Sequence, residues 1–241
     1  MRIAYFHCFA GIAGDMALGA LLDAGADLDA VRKMLAGLGL PGWSLDTERV
    51  TRRGIAATRA VVTVEDDAVS RTHAVIAALV GEAPLPDRVR ERALAVFRNL
   101  AEAEGRVHGM PPADVHFHEV GGHDAIVDVV GTCAALETLD VDEVAALPIP
   151  VGQGLITTRH GLLPNPGPAV VELLARARAP ITGRAVDAEM STPTGTALLV
   201  TLAGSFGPFP DMTVTANGFG AGTKVFGDLP NVTQVAIGET R

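Results

Sequence analysis

Residues 2–24 read Arg2-Ile3-Ala4-Tyr5-Phe6-His7-Cys8-Phe9-Ala10-Gly11-Ile12-Ala13-Gly14-Asp15-Met16-Ala17-Leu18-Gly19-Ala20-Leu21-Leu22-Asp23-Ala24. Residues 2–9 are a β-branched and aromatic run, the pattern of a buried strand. Residues 10–15 form a glycine turn. Residues 16–24 place Leu18, Leu21 and Leu22 at helical spacing, with Asp15 available as a helix N-cap. A strand, a glycine turn and a helix in succession indicate a sheet covered by helices.

The same alternation runs outward along the chain. Asp27 or Asp29 opens a second helix that ends near residues 37–39. Residues 43–64 alternate around Gly54 and predict a β-hairpin, followed by a polar linker over 65–70. Helices are predicted over 72–80 and 86–105. The second carries Val89, Ala93, Val96, Phe97 and Leu100 on one face, with Arg88, Arg90, Glu91 and Arg92 on a solvated side. After Pro111-Pro112, residues 125–139 read as a buried helix and 144–150 as a strand. Residues 152–154 are a glycine turn, and 160–168 a loop with three prolines ahead of a helix to about Arg178. Residues 189–195 are a polar loop before a helix to Leu202. Val214, Val225 and residues 232–237 mark closing strands. The class is α/β or α+β, a mixed sheet flanked by helices. A single domain over 1–241 is expected, with a small helical subregion over 71–110.

With 48% hydrophobic and 20% charged residues, the chain has the composition of a soluble globular protein. A net charge of −9 argues against a nucleic-acid surface, which needs a basic stripe. Arg2 and the apolar run over 3–22 resemble a signal peptide, but His7 and Asp15 interrupt it, and no transmembrane segment is found. Cys8 and Cys133 lie far apart and outside any CxxC pair, which excludes a cysteine-built structural zinc. Both read as buried, reduced thiols of a cytoplasmic protein, with a soft-ligand role for Cys8 as the lesser option.

Three of the seven histidines and three carboxylates fall within residues 116–128: His116, His118, Glu119, His123, Asp124 and Asp128. Imidazole plus carboxylate is the ligand set of a borderline divalent cation. His116 and His118 share a side if the chain is extended there. Asp124 and Asp128 share a face if it is helical there. Glu119 is a candidate ligand, base or partner to an imidazole, and His123 can equally point to water. The bland reading is local capping by the aspartates and a satisfied core histidine.

Two loops add anion-binding candidates. Gly11 and Gly14 precede a helix start, where free amides and the helix dipole favour an anion, although Asp15 would repel a bare phosphate unless a metal bridged them. Thr192, Thr194 and Gly195 offer hydroxyls and amides at another helix start. A simple β–α turn and an ordinary N-cap explain the same residues structurally. Arg159, His160 and Glu189 are unusual loop filler and suggest a shared cleft.

Taken in order, these motifs resemble the LarC family of nickel insertion proteins. The resemblance rests on residues 9–16, on His116-Phe117-His118-Glu119-Val120-Gly121 with Asp124, Ile126, Val127 and Asp128, and on His160-Gly161. It continues through Thr192-Pro193-Thr194-Gly195, Gly218-Phe219-Gly220-Ala221-Gly222-Thr223 and Pro230-Asn231-Val232. It implies Ni(II) insertion into pyridinium-3,5-bisthiocarboxylic acid mononucleotide, a lyase-class chelatase reaction. The metal would be held by His116, His118, Asp124, Asp128, Asp15 and His160. Glu119 would serve as the base, and Gly11, Gly14, Thr192, Thr194 and Gly195 would cradle the mononucleotide.

The chain departs from the family at His7, where an acid is usual. It also corresponds to the N-terminal portion, with the family's C-terminal domain absent. The resemblance places CTP, with Mn(II) or Mg(II), on that missing portion. It implies the C-terminal portion and an apo lactate racemase-type enzyme as partners, and self-association is a further option. Two other readings use the same residues: a metal-dependent hydrolase, and a non-catalytic nickel-binding subunit.

Overall fold

Strand β1 (Arg2–His7) runs into the glycine turn and then α1 (Gly14–Asp23), which packs back onto the sheet. The computed structural model describes residues 1–65, 71–117, 122–158 and 160–240. Helix α2 (Leu28–Ala36) is capped by Asp27, whose carboxylate accepts from the amides of Asp29 and Ala30. The hairpin is β2 (Trp43–Arg52) and β3 (Ile55–Val64), joined at Arg53-Gly54, both with positive φ. Helices α3 (His73–Glu82) and α4 (Asp87–His108) follow, then a 3-10 turn at Pro112–Asp114 and α5 (His123–Thr138).

The second half supplies β4 (Glu143–Ala146), β5 (Ile149–Val151), β6 (Leu155–Thr158) and β7 (Gly161–Pro164). After these come α6 (Pro168–Ala177), β8 (Ile181–Gly183), α7 (Pro193–Leu202), β9 (Ala203–Phe206), β10 (Met212–Ala221) and β11 (Val232–Thr240). A seven-stranded mixed sheet has the order β2-β3-β10-β11-β1-β4-β9. β1 pairs antiparallel with β11, from the other end of the chain, and parallel with β4, which a long crossover connection reaches. β5–β8 and β6–β7 are separate two-stranded pieces.

The mixed α/β class therefore holds, and several local expectations need correction. Pro148 removes a donor within 144–150, and the expected single strand divides into β4 and β5. The proline loop over 160–168 contains β7, which folds onto β6 as a hairpin. Val225 is 86% exposed and lies outside the strands. The arginines of α4 are more than a solvated side. Arg88 and Arg92 donate to the carbonyl of Val141, and Arg90 to those of Ala83 and Leu85, which satisfies carbonyls left open where chain segments turn.

The core lies between the sheet and its helices. Alternate β1 residues Ala4 and Phe6 join it, together with the predicted face of α4. Each such large apolar side chain contributes roughly 1.5–3 kcal/mol on burial. Ile3, Tyr5 and Ala145 form a small separate cluster on the other face. His7 belongs to that second face, where Nδ1 meets Gln234 Oε1 at 3.1 Å and the ring packs near Phe9 and Phe209. It points away from the glycine turn's helix. Cys8 and Cys133 are buried and free. Burial pushes the Cys8 thiol up to about 12, and its Sγ–H meets the carbonyl of Leu147 at 3.6 Å.

α1 sits unusually close to β10. A Cβ on Gly220 would stand 1.9 Å from the carbonyl oxygen of Met16. The Gly218–Thr223 motif thus first serves close helix–sheet packing. Asp23 locks the other end of α1, accepting from the amide of Phe219 at 2.8 Å and from the hydroxyl of Thr58 at 2.7 Å.

Candidate metal cleft

The glycine turn and the threonine loop are laced together by backbone bonds. Ile12 N–H donates to Met190 O at 3.1 Å, and Thr192 N–H donates to Ile12 O at 3.0 Å. This brings the starts of α1 and α7 side by side. Helix α5 packs on α1 and adds its own start. Three helix N-termini thus meet at one cleft of about 400 Å³. Each presents the positive end of its dipole, the environment in which carboxylates are stabilised.

Three aspartates occupy this place. Asp15 comes from the first turn of α1, Asp124 from the first turn of α5, and Asp128 from one turn further on the same face. Asp124 is exposed, and Asp15 and Asp128 are half-buried. Asp128 Oδ1 is shielded from solvent and has no hydrogen-bond partner among the described residues. Burial pushes the Asp128 carboxyl well above its ordinary value, and the charges of Asp15 and Asp124 push it further. Burial raises Asp15 as well, opposed mainly by the amide of Met16, which donates to its Oδ1 at 2.8 Å. Crowded carboxylates, one with a buried oxygen lacking a hydrogen-bond partner among the described residues, give the cleft a donor chemistry that suits a cation.

Gly14 makes the crowding possible. A Cβ there would lie 2.5 Å from Asp128 Oδ2. The Asp128 carboxylate thus stands directly against the start of α1. The start of α1 is therefore already occupied by the protein's own carboxylates and leaves little for a phosphate. Asp15 is not the N-cap. That position is Ala13, held extended beside the Ile12 ladder, with no capping side chain. At α7 the Thr192 hydroxyl caps its own helix through the amide of Gly195 at 3.2 Å. Among the five expected cradle residues, Gly14, Thr192 and Thr194 line the cleft. Gly11 sits behind it, its carbonyl accepting from the Thr233 hydroxyl at 2.6 Å, and Gly195 is pressed against the backbone of Ile12.

The histidines are dispersed. His116 is exposed, sits on an isolated bridge to Thr72, and does not line the cleft. His123 does not point to water: it is 4% exposed, with Nε2 3.2 Å from the Arg71 guanidinium. His160 lines a neighbouring cavity and is not grouped with the aspartates. His118 and the expected base Glu119 lie outside the described residues, as does Arg159. Among the described residues, no three His, Cys, Asp or Glu side chains close around an ion. The acid cleft is an open set of oxygen donors.

Other lining residues come from distant chain. Glu189 reaches the cleft from the threonine loop, and Lys224 Nζ pairs with it at 2.8 Å. Arg59 arrives from β3, where it also pairs with Glu48 at 3.1 Å, and Thr223 from the end of β10. Arg59 and Lys224 escaped the sequence reading because nothing in a half-exposed hairpin or a glycine-rich loop marks which cation will face a site. No helix among the described residues is long and apolar enough to cross a membrane.

The family described as nickel insertion protein matches residues 4–241. A relative from Geobacter metallireducens, named for nickel insertion, is 52% identical over 241 residues, covering 99% of this chain and 61% of its own length. Another from Geobacter sulfurreducens is 49% identical over 241 residues, covering 99% of this chain and 62% of its own. One from Synechococcus is 48% identical over 244 residues, with 99% and 61% coverage. The chain thus spans about three-fifths of the length of the curated relatives it matches. No solved structure matches. With this acid cleft at its centre, and with the family's pattern running through almost all of its length, the chain belongs to the nickel insertion protein family.

Proposed function

We propose that this chain holds Ni(II) in the acid cleft and delivers it into pyridinium-3,5-bisthiocarboxylic acid mononucleotide, the substrate implied by the LarC resemblance. The observation that carries the nickel part is the convergence of Asp15, Asp124 and Asp128, with Asp128 Oδ1 buried and without a hydrogen-bond partner among the described residues. Nickel is cargo here. An open set of oxygen donors suits a transient site, because a borderline cation passes downhill to softer thiocarboxylate sulfur. By sequence, His118 and Glu119 precede Asp124 closely enough to complete the donor set or to accept the proton lost when a nickel–carbon bond forms. Thr192 and Thr194 line the cleft's opposite wall and would meet the substrate's polar groups.

On this reading the reaction is of the chelatase type. CTP, with Mn(II) or Mg(II), acts through the part of the relatives that lies beyond this chain's span, and an apo lactate racemase-type enzyme receives the product. Nickel titration calorimetry tests the cargo site. Asp128→Asn should weaken nickel binding by at least roughly 10-fold, the scale seen when a metal's supporting residues are disturbed. Equal affinity in variant and wild type would remove the acid cleft from the account.

A further inference from the structure

Glu189 stands where several recesses of this face meet. It lines the acid cleft. With Pro193 it also forms the wall to the neighbouring cavity of about 250 Å³, which the end of α4, the β6–β7 hairpin and the start of α6 build around Glu104, His108 and His160. A further recess of about 190 Å³ has Asp15, Glu189 and Lys224 among its lining. Lys224 does not line the acid cleft itself. Its Nζ pairs with Glu189 Oε2 at 2.8 Å, with the lysine side chain 50% exposed and the glutamate 21%. Glu189 thus has the aspartates' cleft on one side and an ammonium on the other.

Backbone bonds set both ends of this pair. Glu189 precedes Met190, whose carbonyl accepts from Ile12 N–H at 3.1 Å in the ladder beside α1. The carbonyl of Lys224 accepts from Asn231 Nδ2 at 2.8 Å, and Arg52 Nη2 donates to the carbonyl of Gly222 at 3.0 Å. Buried Phe226 anchors the same loop. The lysine is therefore brought to Glu189 by a fixed segment. Pairing offsets what would be a fourth negative charge beside three crowded aspartates. An ion pair this open to water contributes little and exchanges partners readily. A divalent cation in the cleft carries twice the charge of the ammonium, and the attraction scales with it.

We propose that Glu189 is a fourth carboxylate ligand for the cation in the acid cleft, and that Lys224 holds it in reserve until the ion arrives. The proposal rests on the nickel-delivery reading for the identity of the ion. Its test is a double-mutant cycle, read by nickel titration calorimetry on the full chain. Lys224→Met should tighten nickel binding by about 5-fold, because the carboxylate no longer leaves a partner, and Glu189→Gln should weaken it by about 10-fold. In the Glu189→Gln background, Lys224→Met should change the affinity by less than about 2-fold. Both side chains are partly exposed, and thermal melts confirm that each variant is folded. Equal tightening in both backgrounds would reduce Lys224 to a charge acting at a distance and overturn the proposal, as would unchanged affinity in Glu189→Gln. Either result, with nickel binding still weakened in Asp128→Asn, would leave the acid cleft standing. A coupled cycle in a chain indifferent to Asp128→Asn would keep Glu189 as a ligand and remove the aspartates from the account. No nickel binding by wild type would sink both readings.

Discussion

The two adjoining cavities share a wall and differ in almost everything else. The acid cleft is built from three helix starts, and its groups are short aspartates in the first two turns of α1 and α5. The second cavity is built from a helix end, a hairpin and the first turn of α6, and its groups are imidazoles and long glutamates among aliphatic side chains. The difference shows how one surface can carry two chemistries. Helix dipoles and crowded carboxylates concentrate charge in the one. Aliphatic walls with a few polar edges make the other a mainly apolar recess.

The largest expected effect separates the two directly. Asp15→Asn/Asp128→Asn should lower nickel affinity by more than roughly 100-fold in calorimetry. Glu104→Gln, across the wall, should change it less than about 2-fold. A comparable loss in both would merge the cavities into one site.

A smaller effect tests the crowding without touching a ligand. Gly14→Ala drives a methyl into Asp128, whose Oδ2 lies 2.5 Å from the position of the new Cβ. Nickel affinity should fall about 10-fold as the carboxylate is displaced. Unchanged affinity would mean that Asp128 is not held in place for binding.

Stability should move the other way. Asp128 binds its proton more tightly folded than unfolded, so its ionisation costs stability as pH rises from about the ordinary value of 3.8 to the raised folded value. Asp128→Asn lacks that cost. In metal-free protein at pH 7 it should melt roughly 2–5 °C higher than wild type, the gap closing as pH falls toward 4. A lower melting temperature at pH 7 would show that the carboxylate is stabilising and the site not strained.

The smallest effect lies outside both cavities. Burial, with the Arg98 charge assisting, holds His73 below its ordinary 6.5, so wild type should lose stability as pH falls from 6.5 through the lowered folded value. His73→Phe should reduce the loss between pH 7 and 5 by about 1–2 °C in a thermal melt.

Much of the scaffold was legible because it is local. The strand–turn–helix at the N-terminus, the hairpin around Gly54 and the apolar face of α4 follow from periods of 2 and 3.6. The three- and four-residue strands β6, β7, β8 and β9 were not, since so short a piece carries no periodicity. At the site, the spacing of Asp124 and Asp128 already put both on one helical face. That α1 and α7 would bring Asp15 and Thr192 to that face depends on the Ile12 ladder, a contact between residues almost 180 positions apart. The clustering of histidines along the chain does not carry over to the lining of the acid cleft. His116 is exposed and His123 is buried against the Arg71 guanidinium, and neither lines it.

The most direct test of the acid cleft is an anomalous difference map from nickel-soaked crystals, collected at the nickel absorption edge. The strongest peak should lie among the carboxylates of Asp15, Asp124 and Asp128. A strongest peak beside His108 and His160, with none at the aspartates, would contradict the account.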